Sequence, residues 1–282
     1  MEEKTGIYII KANGTRELFD REKLLRSLRK IGTDKETADL IISKVEADLT
    51  NDHTTKEIYS QAFSLLKKHQ HPIAIRYSLK RAIAELGPSG FPFEDYVSEI
   101  FKAQGYQTIN DQIVMGTCVP HEVDVVAYND TELIMIEAKF HTDFGTGSDL
   151  KVALYVKARF DDLQNGVFKY GGKEKKMTKG LLITNTKFSS TAIQYGECAH
   201  LNMIGWNYPY NNNLHNIIEK LDLIPITVLT SLSQAEKKMF LANDIVLSKQ
   251  LGNADLLKSY GFNDLKIKTV MKEVGEIAEI KN

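Results

Sequence analysis

Along the chain, apolar and polar positions first alternate and then recur every three to four residues. IYIIKANGTRELFD, residues 7–20, sets two short apolar runs around Asn13-Gly14, a dipeptide that tolerates positive φ, and so predicts a β-hairpin. Asp20 then stands as the cap of a helix to about Ile31, with Leu24, Leu25 and Leu28 on one face and Gly32 placed to end it. A second helix follows Thr33-Asp34. A third begins at Thr54, with Glu57 at capping-box spacing, and a fourth runs from near Pro72 to just before Gly87-Pro88.

GPSGFP, residues 87–92, concentrates glycine, proline and serine and marks a boundary. Beyond it, Tyr96, Val97, Ile100 and Phe101 repeat at helical spacing until Gly105. Strands are expected near 112–116, 122–128 and 133–140, then a helix over 150–163, a strand over 180–186, a helix over 189–201 and a strand over 203–208. Antiparallel strands followed by β-α-β imply a mixed sheet flanked by helices. After about Pro225 the pattern supports only short helices, in SQAEKKMFLAND, VLSKQLG, ADLLKSYG and NDLKIKTVMKEVGEIAEI, with no internal repeat visible. The expected class is α+β with three domains, 1–89, 90–224 and 225–282.

Composition narrows the setting. Lysine plus arginine (36) nearly balance aspartate plus glutamate (37), so contact with nucleic acid has to come from a local patch. Two cysteines far apart, Cys118 and Cys198, exclude a zinc ribbon and fit a reducing compartment. MEEKTGIYII has no signal-peptide pattern and no run approaches a membrane span, so a cytoplasmic protein without membrane contact is expected.

One stretch breaks the apolar pattern. EVDVVAYNDTELIMIEAKF, residues 122–140, carries Asp124, Glu137 and Lys139 within strands. If Asp130-Thr131 is a two-residue turn, Asn129 pairs with Glu132 and Asp124 falls opposite Glu137, with Cβ atoms about 5 Å apart. Carboxylates that close repel unless a cation lies between them, and oxygen ligands suit a hard ion such as Mg²⁺ or Mn²⁺. Such an ion polarises a phosphoryl oxygen, while Lys139 orients the nucleophile and stabilises developing charge. A solvated face with Lys139 paired to one acid is the alternative. Val123, Val125, Val126, Ile134, Met135 and Ile136 argue instead for strands covered on both sides.

FEDYVSEIFKAQGY, then Gly116 to Asp124, then IEAKF together resemble the Mrr-like restriction endonuclease branch of the PD-(D/E)XK nucleases, over about residues 90–210. The resemblance implies Asp124 and Glu137 as metal-binding acids, Lys139 as the catalytic lysine and Glu94 as the acid from the preceding helix. Val123 stands where the family usually has proline. His121 is either a substrate contact or structural. KYGGKEKKMTKG, residues 169–180, reads as a lysine-rich loop whose Lys173, Lys175 and Lys176, with Lys157 and Arg159 of the preceding helix, are candidate phosphate contacts. A merely solvated loop is the alternative.

IIKANGTRELFDREKLLRSL resembles the ATP-cone, the nucleotide-sensing module of ribonucleotide reductases, over about residues 5–90. The resemblance implies ATP or dATP as ligand, with Lys11, Glu17, Asp20 and Lys23 at the motif positions and Thr55 and Tyr59 as contacts to base or ribose; Ala12 replaces the frequent arginine. The carboxy-terminal helices resemble helix-hairpin-helix DNA-binding regions around Gly261, with simple packing or dimerisation as the alternative. The function implied is a metal-dependent endonuclease acting on double-stranded DNA, regulated by an adenine nucleotide and homo-oligomeric. A non-catalytic nucleotide-sensing DNA-binding regulator and a repair or junction-resolving nuclease are the alternatives.

Overall fold

The computed structural model describes residues 6–11, 14–143 and 145–278, and divides the chain into one compact unit of residues up to 79 with those from 275, and a second of residues 80–274. In the first unit, β1 (Tyr8–Ile10) pairs antiparallel with β2 (Arg16–Leu18), followed by α1 (Arg21–Lys30), α2 (Lys35–Asp48), α3 (Thr55–His69) and α4 (His71–Ala84), whose end belongs to the second unit. This is the expected hairpin with four helices. Gly14 has φ of +79°, as a hairpin turn requires; Ala12 and Asn13 lie outside the described residues. Asp20 accepts from the Lys23 amide (2.9 Å), and Thr54 and Glu57 form the reciprocal capping box their spacing predicts. Leu24, Leu25 and Leu28 pack with Ile41, Ile42, Val45 and Leu66 in the core of this unit.

After the end of α4 the second unit continues with α5 (Phe91–Ala103), β3 (Gln107–Met115), β4 (Pro120–Tyr128) and β5 (Leu133–Lys139). β6 (Gly147–Ser148), α6 (Leu150–Leu163), β7 (Val167–Tyr170), β8 (Lys173–Lys176), β9 (Lys179–Thr184), β10 (Lys187–Phe188), α7 (Ser190–Cys198), β11 (Asn202–Ile204) and α8 (Leu214–Leu221) follow. The sheet order is β11-β9-β5-β4-β3, antiparallel through β3, β4 and β5 and parallel through β5, β9 and β11. Leu133 and Met135 pack with Ala153, Val156, Phe160 and Leu163 of α6, and the intervening Ile134 and Ile136 are also buried, so β5 is covered on both faces.

Three features differ from the sequence pattern. β3 starts at Gln107 rather than 112: it is an edge strand, and its first residues alternate exposed and half-buried without an apolar run. The lysine-rich stretch is a β7–β8 hairpin rather than a loop. Its Gly171-Gly172 turn takes φ of +61° and +74°, while Phe168 and Tyr170 bury their rings. Helix α8, hidden in a polar segment, is started by Asn213 accepting from the Asn216 amide (3.0 Å).

After Pro225 come a 3-10 turn at 226–228, α9 (Gln234–Leu241), a second 3-10 turn at 248–251 where a helix was expected, α10 (Ala254–Ser259) and α11 (Asp264–Ala278). They belong, up to Val274, to the same unit as the sheet. Thr227 Oγ1 donates to the Ala82 carbonyl (2.6 Å), and buried Glu273 accepts from the Thr230 amide, the Thr230 hydroxyl and the Ser231 amide, each at 2.8 Å. The sequence also conceals a recurrence. Asp222, Asp244 and Gly261 each end a helix at φ of 53°, 58° and 81°, and each is followed by an apolar residue whose amide donates back into that helix: Leu223 to Ile218, Ile245 to Phe240, Phe262 to Leu257.

Candidate active site

The β4–β5 register runs from Tyr128 opposite Leu133 to Val125 opposite Ile136, and there the paired ladder ends. Asp124 and Glu137 are the next residues, facing each other across the strand ends as the two-residue turn predicts. Asp124 Oδ2 accepts from the Ala138 amide at 2.7 Å, which ties one acid to the strand bearing the other. Glu137 is bonded by Arg159 Nη1 of α6, and the same nitrogen donates to the Glu122 carbonyl (2.9 Å). The Arg159 guanidinium lies 4.6 Å over the Tyr155 ring, one turn earlier on α6. Lys139 stands exposed at the end of β5.

Glu94, in the first turn of α5, lies within reach of the Asp124 and Asp111 charges. Asp111 was not singled out in the sequence. The β3–β4 register sets it opposite Asp124, between Asn110 paired with Val125 and Gln112 paired with Val123, and its φ of 53° is left-handed within a strand. The only signal available was that Asn and Asp tolerate that conformation.

The crowding of acids shifts their titration. Burial, then the Asp124 and Asp111 charges, push Glu94 up to about 8. Burial, then Asp124, push Glu137 up to about 7 against the pull of Arg159 and Lys139. Burial also raises Asp124, opposed by the Ala138 amide and Arg159. Asp95, beside Glu94, rises to about 6 through burial and then Asp244.

Among the described residues, no three His, Cys, Asp or Glu side chains converge as a metal cage. Asp124 and Glu137 supply two hard carboxylate donors at one place, and that set suits a cation such as Mg²⁺, which keeps several waters rather than being caged by protein.

The remaining expected residues fall elsewhere. His121 Nε2 meets Asp162 Oδ2 at 2.7 Å, and Asp162 also accepts from the Cys118 amide (2.8 Å); these bonds, His121 first, hold Asp162 at about 2. His121 thus fixes the β3–β4 turn against α6. Lys157 pairs with Asp161, and Arg159 is turned onto Glu137 rather than outward. Lys173 Nζ meets Asp130 Oδ1 and Lys175 Nζ the Asp130 carbonyl, both at 2.9 Å, at the β4–β5 turn. Five strand residues, roughly 17 Å, separate that turn from Glu137. Lys176 is exposed on β8.

In the amino-terminal unit, Glu17 joins the two motif lysines, with Lys11 Nζ at 2.6 Å and Lys23 Nζ at 3.3 Å, and is held below the usual carboxylate range chiefly by Lys11. Asp20 is occupied as the α1 cap. Thr55 opens α3, and the Tyr59 ring stacks on Tyr77, with centroids 4.9 Å apart.

Comparison with known proteins gives three family matches along the chain: ATP cone domain over residues 7–85, Restriction endonuclease over 87–207, and AF1548-like, C-terminal over 224–278. An uncharacterized protein of Archaeoglobus fulgidus is 32% identical over 183 residues, spanning 64% of this chain and 99% of its own length. A crystal structure described as Protein of Unknown Function AF1548 superposes with a TM-score of 0.56 at 29% identity, covering 68% of this chain and 99% of that one. No helix among the described residues is long and apolar enough to cross a membrane.

Glu94 and Glu137 bind protons more tightly folded than unfolded, so without divalent cation they lower stability as pH rises from about 4.5 to about 8. In urea melts with EDTA, the stability gained by Glu94→Gln with Glu137→Gln over wild type should grow through that window and then level. A difference that stays constant from pH 5 to 9 would contradict the raised values.

Proposed function

We propose, for a chain that belongs to the Mrr-like restriction endonuclease family and carries an ATP-cone and an AF1548-like carboxy-terminal domain, that it is a divalent-metal-dependent endonuclease for double-stranded DNA whose activity is set by a bound adenine nucleotide. The observation that carries this reading is the placement of Asp124 opposite Glu137 where the β4–β5 ladder ends, with Lys139 two residues on.

In this reading Asp124 and Glu137 hold Mg²⁺ or Mn²⁺, and the ion supplies Lewis acidity toward a phosphoryl oxygen. Lys139, exposed at the strand end, orients the attacking water and stabilises charge growing on the phosphate. Glu94, whose carboxyl feels the Asp124 and Asp111 charges, orders water beside these acids. The lysine hairpin stands at the turn end of β4–β5, five strand residues or roughly 17 Å from Glu137. Its exposed pairs with Asp130 are weak enough for Lys173 and Lys175 to be shared with DNA phosphates beside Lys176. A non-catalytic regulator would leave Asp124, Glu137 and Lys139 without a task.

In the amino-terminal unit, Lys11 and Lys23 hold the nucleotide phosphates in place of Glu17, and Thr55 and Tyr59 meet its base or ribose. The chain has no G-x-x-x-x-G-K-[ST] loop, and phosphodiester hydrolysis needs no ATP, so the nucleotide acts as a ligand. It shifts activity by its differential affinity for two states of the protein.

Asp124→Asn keeps an acceptor for the Ala138 amide while removing the charge. It should reduce Mg²⁺-supported plasmid cleavage by about two orders of magnitude or more with a melt no lower than wild type; wild-type rates would remove the site. Replacing Lys173, Lys175 and Lys176 by alanine should flatten the salt dependence of DNA binding by about 0.9 per phosphate-contacting lysine, and an unaltered slope would return the hairpin to plain surface. ATP should bind by calorimetry without being consumed, with affinity about tenfold lower in Lys23→Ala. Steady ATP hydrolysis, or no binding by wild type, would refute the ligand role.

A further inference from the structure

Arg159 is a cation buried where the proposed site concentrates negative charge. Its side chain is 11% exposed and that of its partner Glu137 14%, so the pair is largely withdrawn from water. A guanidinium has five donors, yet one nitrogen, Nη1, serves both the Glu137 carboxylate and the Glu122 carbonyl, while Nε is buried with no acceptor. A buried donor left unpaired costs free energy. Charge, rather than complete hydrogen bonding, therefore holds Arg159 there. Four carboxylates, Glu94, Asp111, Asp124 and Glu137, surround this end of the sheet, and Arg159 and Lys139 are the cations that act on Glu137.

We propose that Arg159 is an internal counter-ion that occupies Glu137 when no divalent cation is bound and releases it when one arrives, so that the protein's own guanidinium competes with the metal. This rests on reading Asp124 and Glu137 as the metal ligands. Arg159 engages Glu137 through Oε2 alone, and a guanidinium and a dication beside one carboxylate repel whichever oxygen the ion takes, so each weakens the other's hold on Glu137. Tyr155 beneath the guanidinium gives its head a surface to slide over while the stem stays on α6. The apparent affinity for metal is then the intrinsic affinity multiplied by the fraction of molecules in which Glu137 is free.

Calorimetric titration of Mn²⁺ into the full-length protein without DNA tests this. Arg159→Met keeps apolar bulk over Tyr155 and removes the charge; it should bind Mn²⁺ about tenfold or more tightly than wild type and melt lower in EDTA, with the melt restored by Mn²⁺. Arg159→Lys should fall between. Equal or weaker Mn²⁺ binding by a folded Arg159→Met overturns the competition while leaving the metal site standing. Absence of binding in both proteins removes the metal reading and this inference together. Should Arg159→Met not fold, [¹⁵N]arginine-labelled wild type decides: the Arg159 Nε–H resonance, assigned by its loss in Arg159→Lys, should move as Mg²⁺ saturates the protein, and a stationary resonance overturns the proposal.

Discussion

Two carboxylates facing each other at the end of strands covered on both sides set the terms for the second unit. A hairpin as apolar as β4–β5 gains its stability from burial on two faces, and like charges placed in it work directly against that gain. The ladder ends where they begin. An amide of the opposing strand takes one acid and an arginine from α6 takes the other. β3 bends through a left-handed aspartate at the same level. These features read as one accommodation to a concentration of charge that an apolar sheet would otherwise exclude.

The same logic recurs in the amino-terminal unit with the signs reversed. There two lysines suited to phosphate are held by one carboxylate, Glu17, in place of an anionic ligand. In both units the protein supplies an internal partner for charges that another group is proposed to meet. The two differ in solvation: the Glu17 pairs are reached by water and weak, whereas Arg159 and Glu137 are largely withdrawn from it.

Local rules made much of this legible. The turn at Asp130-Thr131 fixed the register that sets Asp124 against Glu137, and caps at Asp20, Asp34 and Thr54 started their helices where hydrogen-bonding side chains precede apolar spacing. Illegible were features decided by distant contacts. Arg159 shows only the pattern of a surface cation on an amphipathic helix, and its partner lies 22 residues away on another element. The lysine hairpin reads as a loop because four of its lysines outnumber the rings of Phe168 and Tyr170 that anchor it. The helical recurrence after α8 is carried by backbone conformation at Asp222, Asp244 and Gly261, where Asp and Gly share a shape but not a letter.

The fastening of the β4–β5 hairpin at its turn has a mechanical consequence. Asp130 is gripped by Lys173 and Lys175, and the Thr178 amide and hydroxyl both donate to the Leu133 carbonyl, so the turn end is stitched to the neighbouring strands. At the opposite end the two strands no longer pair with each other, while β4 stays paired to β3 as far as Pro120 and β5 to β9 as far as Lys139. The tips are therefore held from outside rather than by each other, so the spacing of the two acids is set by β3 and β9 and by the one bond from the Ala138 amide to Asp124.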